Sequence, residues 1–149
     1  MSVTLGLTLT ARANAMAGAL SNDTTYYIAL LLALGSAEDG SDVVEAAGSG
    51  YARASTEGWV AGGIALGGAS GTFVLLKNEN DVNFPELTGA LGPIVGYAIY
   101  DAAVEGNCLG TGMIMDASLD APNPQTYAAG DVPLFSAGTI FMGLAPIVQ

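Results

Sequence analysis

NFPELTGALGPIVGYAIYDAAVEGNCL, residues 83–109, is the stretch that decides the fold. Phe84-Pro85 closes an extended run, because proline removes a ladder donor and holds the residue before it in extended geometry. Thr88-Gly89 and Gly92-Pro93 mark turns. Ile94 to Tyr100 is short, aromatic and β-branched, the composition of a mostly buried strand. Asp101 to Asn107 is a polar, Gly-containing connection, and Cys108-Leu109 opens a second strand. The predicted unit is a β-hairpin in an antiparallel sheet.

Upstream of the hairpin, Thr25 to Leu34 carries two tyrosines, an isoleucine and a run of leucines between Asp23 and Gly35. It is too short to span a bilayer, which takes about 20 apolar residues, and reads as a central strand buried on both faces. Ser36 to Ser49 reads as a solvated acidic loop. Glu38, Asp39, Asp42 and Glu45 lie around Gly40 there, but at spacings that do not match the fixed ligand positions of an EF-hand. Gly50 to Arg53 begins another strand, and Arg53, one of three cations, is expected to pair with a carboxylate. Trp59 to Leu76 contains no charge. Its glycines cluster as turn signals and weaken any helix, so two short strands, Trp59 to Leu66 and Thr72 to Leu76, fit better than a membrane span. Val82 and Phe84 alternate with Asp81 and Asn83 as a half-buried strand does. Asn78, Glu79 and Asp81 form a second oxygen cluster, again read as a solvated loop in preference to a calcium site.

At the N-terminus, residues 2–9 alternate imperfectly, as an edge strand or an arm would. From Thr10 the run to Leu20 is rich in good helix formers, with Thr8 or Thr10 as N-cap and Leu9, Ala13, Met16 and Leu20 near one face. This predicts one short helix, covering an end of a sheet or docking on a neighbouring subunit. Beyond the hairpin, Gly110 to Met115 continues a strand and Asp116 to Gln125 is a loop punctuated by Pro122 and Pro124. Thr126-Tyr127 is extended, Gly130-Asp131 turns, and Val132 to Leu144 closes the sheet. The apolar tail, residues 145–149, is expected to tuck against the body. The fold predicted is mainly β, one domain over residues 1–149: an antiparallel β-sandwich or jelly-roll-like barrel with one short N-terminal helix.

Composition narrows the function. The chain is 51% hydrophobic and 11% charged, against about 25% charged in ordinary soluble domains, so surface is expected to be hidden against neighbouring copies. Three basic residues against 14 acidic ones give a formal net charge of −11. Such a surface repels phosphate backbones, which excludes nucleic acid as a partner. The single cysteine, Cys108, rules out an intrachain disulfide framework and reads as a small buried hydrophobe. With no histidine, the usual Ser-His-Asp and Cys-His sites cannot be built. Nothing selects two of the 14 carboxylates for glycoside hydrolysis. No catalytic, cofactor-binding or metal-ligating residue is predicted, and the protein is not read as an enzyme. No basic region, apolar run and cleavage site opens the chain as a signal peptide would, which points to synthesis in the host cytoplasm.

The hairpin also carries a resemblance. A strand ending in Phe84-Pro85, a short Gly loop, Gly96-x-x-Ile99-Tyr100-Asp101-Ala102 and then Gly106-Asn107-x-Leu109 is similar to a family of small tailed-bacteriophage virion proteins, labelled tail-fibre-like. The Ala-rich segment from Leu7 to Leu20, TYYIALL (25–31), VEAAGSGYAR (44–53) and AAGDVPLFSAGTI (128–140) agree with it in order, while Trp59 to Gly71 departs in being unusually Gly-rich and apolar. The resemblance implies a structural protein of the virion surface, contacting other virion proteins such as the major capsid protein or tail proteins. Without heptads, a fibrous repeat or a second domain, the compact chain reads first as a capsid decoration (cement) protein, expected as a homo-oligomer, a trimer. The alternative is a tail or tail-fibre component acting as a receptor- or carbohydrate-binding adhesin. In that case Tyr51, Trp59, Tyr97, Tyr100 and Tyr127 are the residues able to stack on sugars, although aromatics at strand spacing more commonly build core.

Overall fold

Tyr26–Ala33 forms β1, and its neighbours explain why the run is apolar throughout. In the computed structural model, which describes residues 24–37, 39–56, 58–64, 73–118 and 120–144, one edge of β1 pairs antiparallel with β8 (Gly96–Tyr100). The other edge takes two short strands in turn, β2 (Val44–Glu45) and β3 (Ala54–Thr56). With β9 (Cys108–Met113) on the far side of β8, the order is β2-β1-β8-β9, with β3 on β1. Alternation along a strand then sorts the side chains. Tyr26, Ile28 and Leu30 of β1 join Tyr97 and Ile99 of β8 in the main core, while Ala29, Leu31, Ala98 and Tyr100 form a second cluster on the opposite face. The predicted central strand, buried on both faces, is present. So is the predicted hairpin, β8 to β9, with Ile99 opposite Gly110 and Tyr100 opposite Cys108.

Three smaller sheets complete the described residues. β4 (Trp59–Ile64) pairs with β5 (Phe73–Asn78), which also takes β12 (Phe141–Leu144). β6 (Val82–Asn83) pairs with β11 (Leu134–Phe135), and β7 (Leu91–Ile94) with β10 (Gln125–Tyr127). Trp59, Val82, Phe84, Leu87, Leu91, Ile94 and Ile140 bring these sheets onto the main core. All regular elements among the described residues are antiparallel strands, so the chain is mainly β. The uncharged stretch from Trp59 contributes two strands, as its glycines predicted. The N-terminal helix, the arm over residues 2–9 and the tail over residues 145–149 lie outside the described residues.

Several boundaries differ from the sequence reading. Ile94 to Tyr100 is two strands, because the chain changes partner at Val95: its N–H donates to Leu31 O at 2.9 Å and its carbonyl accepts from Ile114 N. Gly92-Pro93 lies within β7 and not before it. Gly92 sits at φ 123°, where a Cβ would lie 2.8 Å from Gln125 O, so glycine is needed for the close approach of β10. The acidic loop ends at Val43, since Val44 and Glu45 pair with Ala33 and Leu31; the strand expected from Gly50 starts only at Ala54. Val132 to Leu144 does not close one sheet. Its two ends serve different partners, β6 and β5, separated by a turn through Ser136 to Thr139.

Candidate functional site

The gap between β2 and β3 creates a backbone problem that the chain solves with side chains. Leu30 is fully buried, and its N–H faces the edge of β1 where no strand partner lies; the Tyr51 hydroxyl accepts from it at 3.0 Å. A buried N–H without an acceptor would cost about 1–3 kcal/mol. The same hydroxyl donates to Glu45 Oε1 at 2.8 Å. Arg53 closes the chain of contacts as a fork, Nε to Oε1 at 2.9 Å and Nη2 to Oε2 at 2.7 Å. Its Nη1 donates to the carbonyls of Ala102 and Glu105, and the guanidinium lies 3.6 Å from the centre of the Tyr100 ring. The predicted pairing of Arg53 with a carboxylate is therefore found, but as a largely covered, bidentate pair with side chains 7% and 27% exposed. Arginine suits this position because its planar fork reaches carboxylate, carbonyl and ring together.

Electrostatics at this cluster follow from the contacts. Burial pushes the Glu45 carboxyl up, but hydrogen bonds from Arg53 and Tyr51, with the Arg53 charge, outweigh it and hold Glu45 below its ordinary value. Burial first, and the Glu45 carboxylate second, push the Tyr51 phenol well up, so it stays a donor. Cys108, half-buried beside Tyr100, is pushed up by burial and remains a thiol. The hairpin loop that Arg53 holds is also tied internally: Asn107 donates its N–H and Nδ2 to the two oxygens of Asp101, which sits below its ordinary value for that reason. Glu105 and Gly106 turn the chain at φ 57° and 78°. About 600 Å³ of open space lies over Arg53, Glu45 and Asn107. Arg53, Glu45, Asp39 and Asn107 around it already bind within the chain, whereas the Glu105 carboxylate makes no hydrogen bond among the described residues.

Asp39, Asp42, Asn78 and Asp81 of the two oxygen clusters singled out in the sequence have local tasks; Glu38 lies outside the described residues. Asp42 accepts from the N–H groups of Ser36 and Ala37 at 2.7 and 2.9 Å, and Asp39 from Ser41 N at 3.0 Å; these bonds lower both carboxyls. Asn78 is not solvated at all. It is 1% exposed, donates from Nδ2 to Asn80 O and Ser136 O, and accepts from Ile140 N at 2.8 Å. It brackets the turn between β11 and β12 onto β5. Asp81, from the same cluster, accepts from Ala137 N. Among the described residues, no three carboxylate or cysteine side chains converge as a metal site would require.

The aromatic residues separate in the same way. Trp59, Tyr97 and Tyr100 are buried, and Tyr51 is held by its two hydrogen bonds. Tyr127 on β10 is half-buried and lines a second cleft of about 550 Å³, bounded by β9, the segment 114–117, β10, β11 and the turn after β11. Its floor is aromatic. Tyr97 and Phe135 meet edge to face with centroids 5.7 Å apart, and the rim carries Met113 and Leu134, 43% and 48% exposed. A Cβ on Gly112 would run into the Tyr97 ring, so glycine there lets Tyr97 lie across β9. The polar lining is Asp116, Asn123, Gln125, Ser136 and Thr139. Sequence reasoning had placed Asn123 and Gln125 in a proline-punctuated loop and missed them as site residues. Nothing local in the sequence signals that this loop would face β11.

Comparison with protein families defines the class first: this is a small virion protein of a tailed bacteriophage. The chain belongs to the family described as Podophage GP4 fiber I protein gp80, whose model matches residues 9–142. That span contains β1 to β11, both clefts and the Arg53 cluster. No curated protein and no solved structure matches the chain.

Proposed function

We propose that the protein is a non-enzymatic structural component of the phage tail fibre, present as a homo-oligomer, a trimer, and joined to other tail proteins at the virion surface. The observation that carries this reading is the family match over residues 9–142, to a family described by a fibre protein. It outweighs the compactness that favoured capsid decoration. The network of Arg53, Glu45, Tyr51 and Asp101 supports a structural role, because its polar groups are directed at the chain's own backbone and at one another. In this reading the sheets stack as a β-sandwich on the core around Ile28, Ile99 and Trp59. A sandwich of this kind with few charged residues hides apolar surface against further copies.

Electron microscopy of virions carrying an epitope tag on this protein tests the placement. Label along the tail is expected; label confined to the head would restore the decoration reading. Sedimentation of the purified chain at micromolar concentration tests the assembly, and a stable monomer would remove the homo-oligomer.

A further inference from the structure

Two clefts carry polar groups, and hydrogen-bond accounting separates them. Over Arg53, both oxygens of Glu45 accept, both oxygens of Asp101 accept, and Arg53 donates four bonds within the chain. Of the charged groups lining that cleft, only the Glu105 carboxylate is left without such a bond among the described residues. In the cleft beside Tyr127 the balance is reversed. The Asn123 side-chain amide, the Ser136 hydroxyl and the Tyr127 phenol make no hydrogen bond among the described residues, and Gln125 uses only Nε2, donating to Asn123 O at 2.9 Å. Free donors and acceptors thus border a floor of Tyr97 and Phe135 and a rim of Met113 and Leu134.

We propose that this cleft is a binding subsite for one neutral sugar residue of a surface glycan, with Tyr127 and Phe135 meeting the C–H face and Asn123, Gln125 and Ser136 meeting the hydroxyls. A pyranose has both characters on one small ring, and a volume of about 550 Å³ falls within the roughly 300–1,000 Å³ of small-molecule sites. Neutrality follows from the lining. No lysine or arginine borders the cleft, and its one carboxylate is Asp116, whose Oδ1 accepts from Ser118 Oγ and Asp120 N at 3.1 and 3.0 Å and whose negative charge opposes an anion. An anionic sugar would meet no cation there, on a chain of formal charge −11. The biological setting of this subsite rests on the tail-fibre reading, whereas the binding itself is a property of the isolated chain.

The test is ligand-observed saturation-transfer NMR on the purified full chain with methyl glucoside, methyl galactoside, methyl mannoside and N-acetylglucosamine, beside glucuronate and N-acetylneuraminate. Transfer to at least one neutral sugar and to neither anion is expected. The double variant Asn123→Ala with Gln125→Ala, checked for an unchanged unfolding midpoint, should weaken that binding by tenfold or more. Tyr127→Phe keeps the ring and should weaken it less. Absence of transfer to every neutral sugar, as when a second copy of the chain fills the cleft, overturns the proposal; so does binding that the double variant leaves unchanged, or a preference for the anions. Tagged virions decide the other reading separately. Sugar binding by a protein found on the head keeps the subsite and removes the fibre, and no binding by a protein found on the tail does the reverse.

Discussion

Replacing Arg53 by alanine should uncouple the hairpin loop 101–107 from the rest of the sheet, and the size of the loss can be worked from the contacts. Arg53 donates two bonds to Glu45 and two to backbone carbonyls, and stacks on Tyr100. Removing one partner of a buried ion pair costs about 3–5 kcal/mol, mostly because the other charge stays behind unpaired. Here the Glu45 side chain is 27% exposed and keeps its bond from Tyr51, so solvent relieves part of that cost. An expected loss of about 2–4 kcal/mol remains, equivalent to roughly 4–16 °C in midpoint at about 2–4 °C per kcal/mol for a chain of this length. Urea unfolding at one fixed protein concentration measures it, since any assembly makes stability concentration-dependent. Arg53→Lys keeps the charge but not the fork, and should recover about 1 kcal/mol or less.

The pH dependence supplies a second readout. Glu45 is held below its ordinary value of 4.5 in the folded chain, so its contribution is present above that value and lost as pH falls through the lowered one. In the alanine variant the partner is gone and burial raises Glu45, which makes acid relieve the defect. The gap between wild type and Arg53→Ala should therefore narrow from pH 7 towards pH 4. A gap under about 0.5 kcal/mol at pH 7, below the range for breaking a buried pair, or one that widens in acid, would refute the assignment of Arg53 as the clamp.

Two further substitutions probe the same framework. Tyr51→Phe removes the acceptor for the buried Leu30 N–H and one donor to Glu45, and should cost about 1–3 kcal/mol in the same urea titration; an unchanged midpoint would mean that water replaces the hydroxyl. Ile99→Asp places a charge at a position 1% exposed in the main core and should abolish soluble folding, read by circular dichroism of the recovered protein. Native-like unfolding of that variant would show that β8 faces the other way.

Several parts of this molecule are written locally and were readable as such. The alternation of Val82 and Phe84, the unbroken apolar run of β1 and the hairpin from Gly96 to Met113 each follow from a strand period or a turn signal within a few residues. The glycines after Trp59 marked two strands where hydropathy alone suggested one span. Family membership was legible too, because it is carried by the order of short motifs along the chain.

What the sequence could not determine is which edge each strand would find. Val95 is a break only because Leu31 and Ile114 take its two backbone groups. Val44-Glu45 is a strand only because β1 offers an edge there. Asn78 reads as polar surface until the turn at Ser136 to Thr139 folds over it and turns its amide into a buried bracket. The cleft at Tyr127 likewise assembles residues from 97 to 139 that no local pattern connects. Periodicity and turn chemistry act over a few residues and specify strands, faces and hairpins. Pairing, burial of polar groups and the shape of a cleft depend on contacts between segments tens of residues apart, and those exist only once the chain has closed on itself.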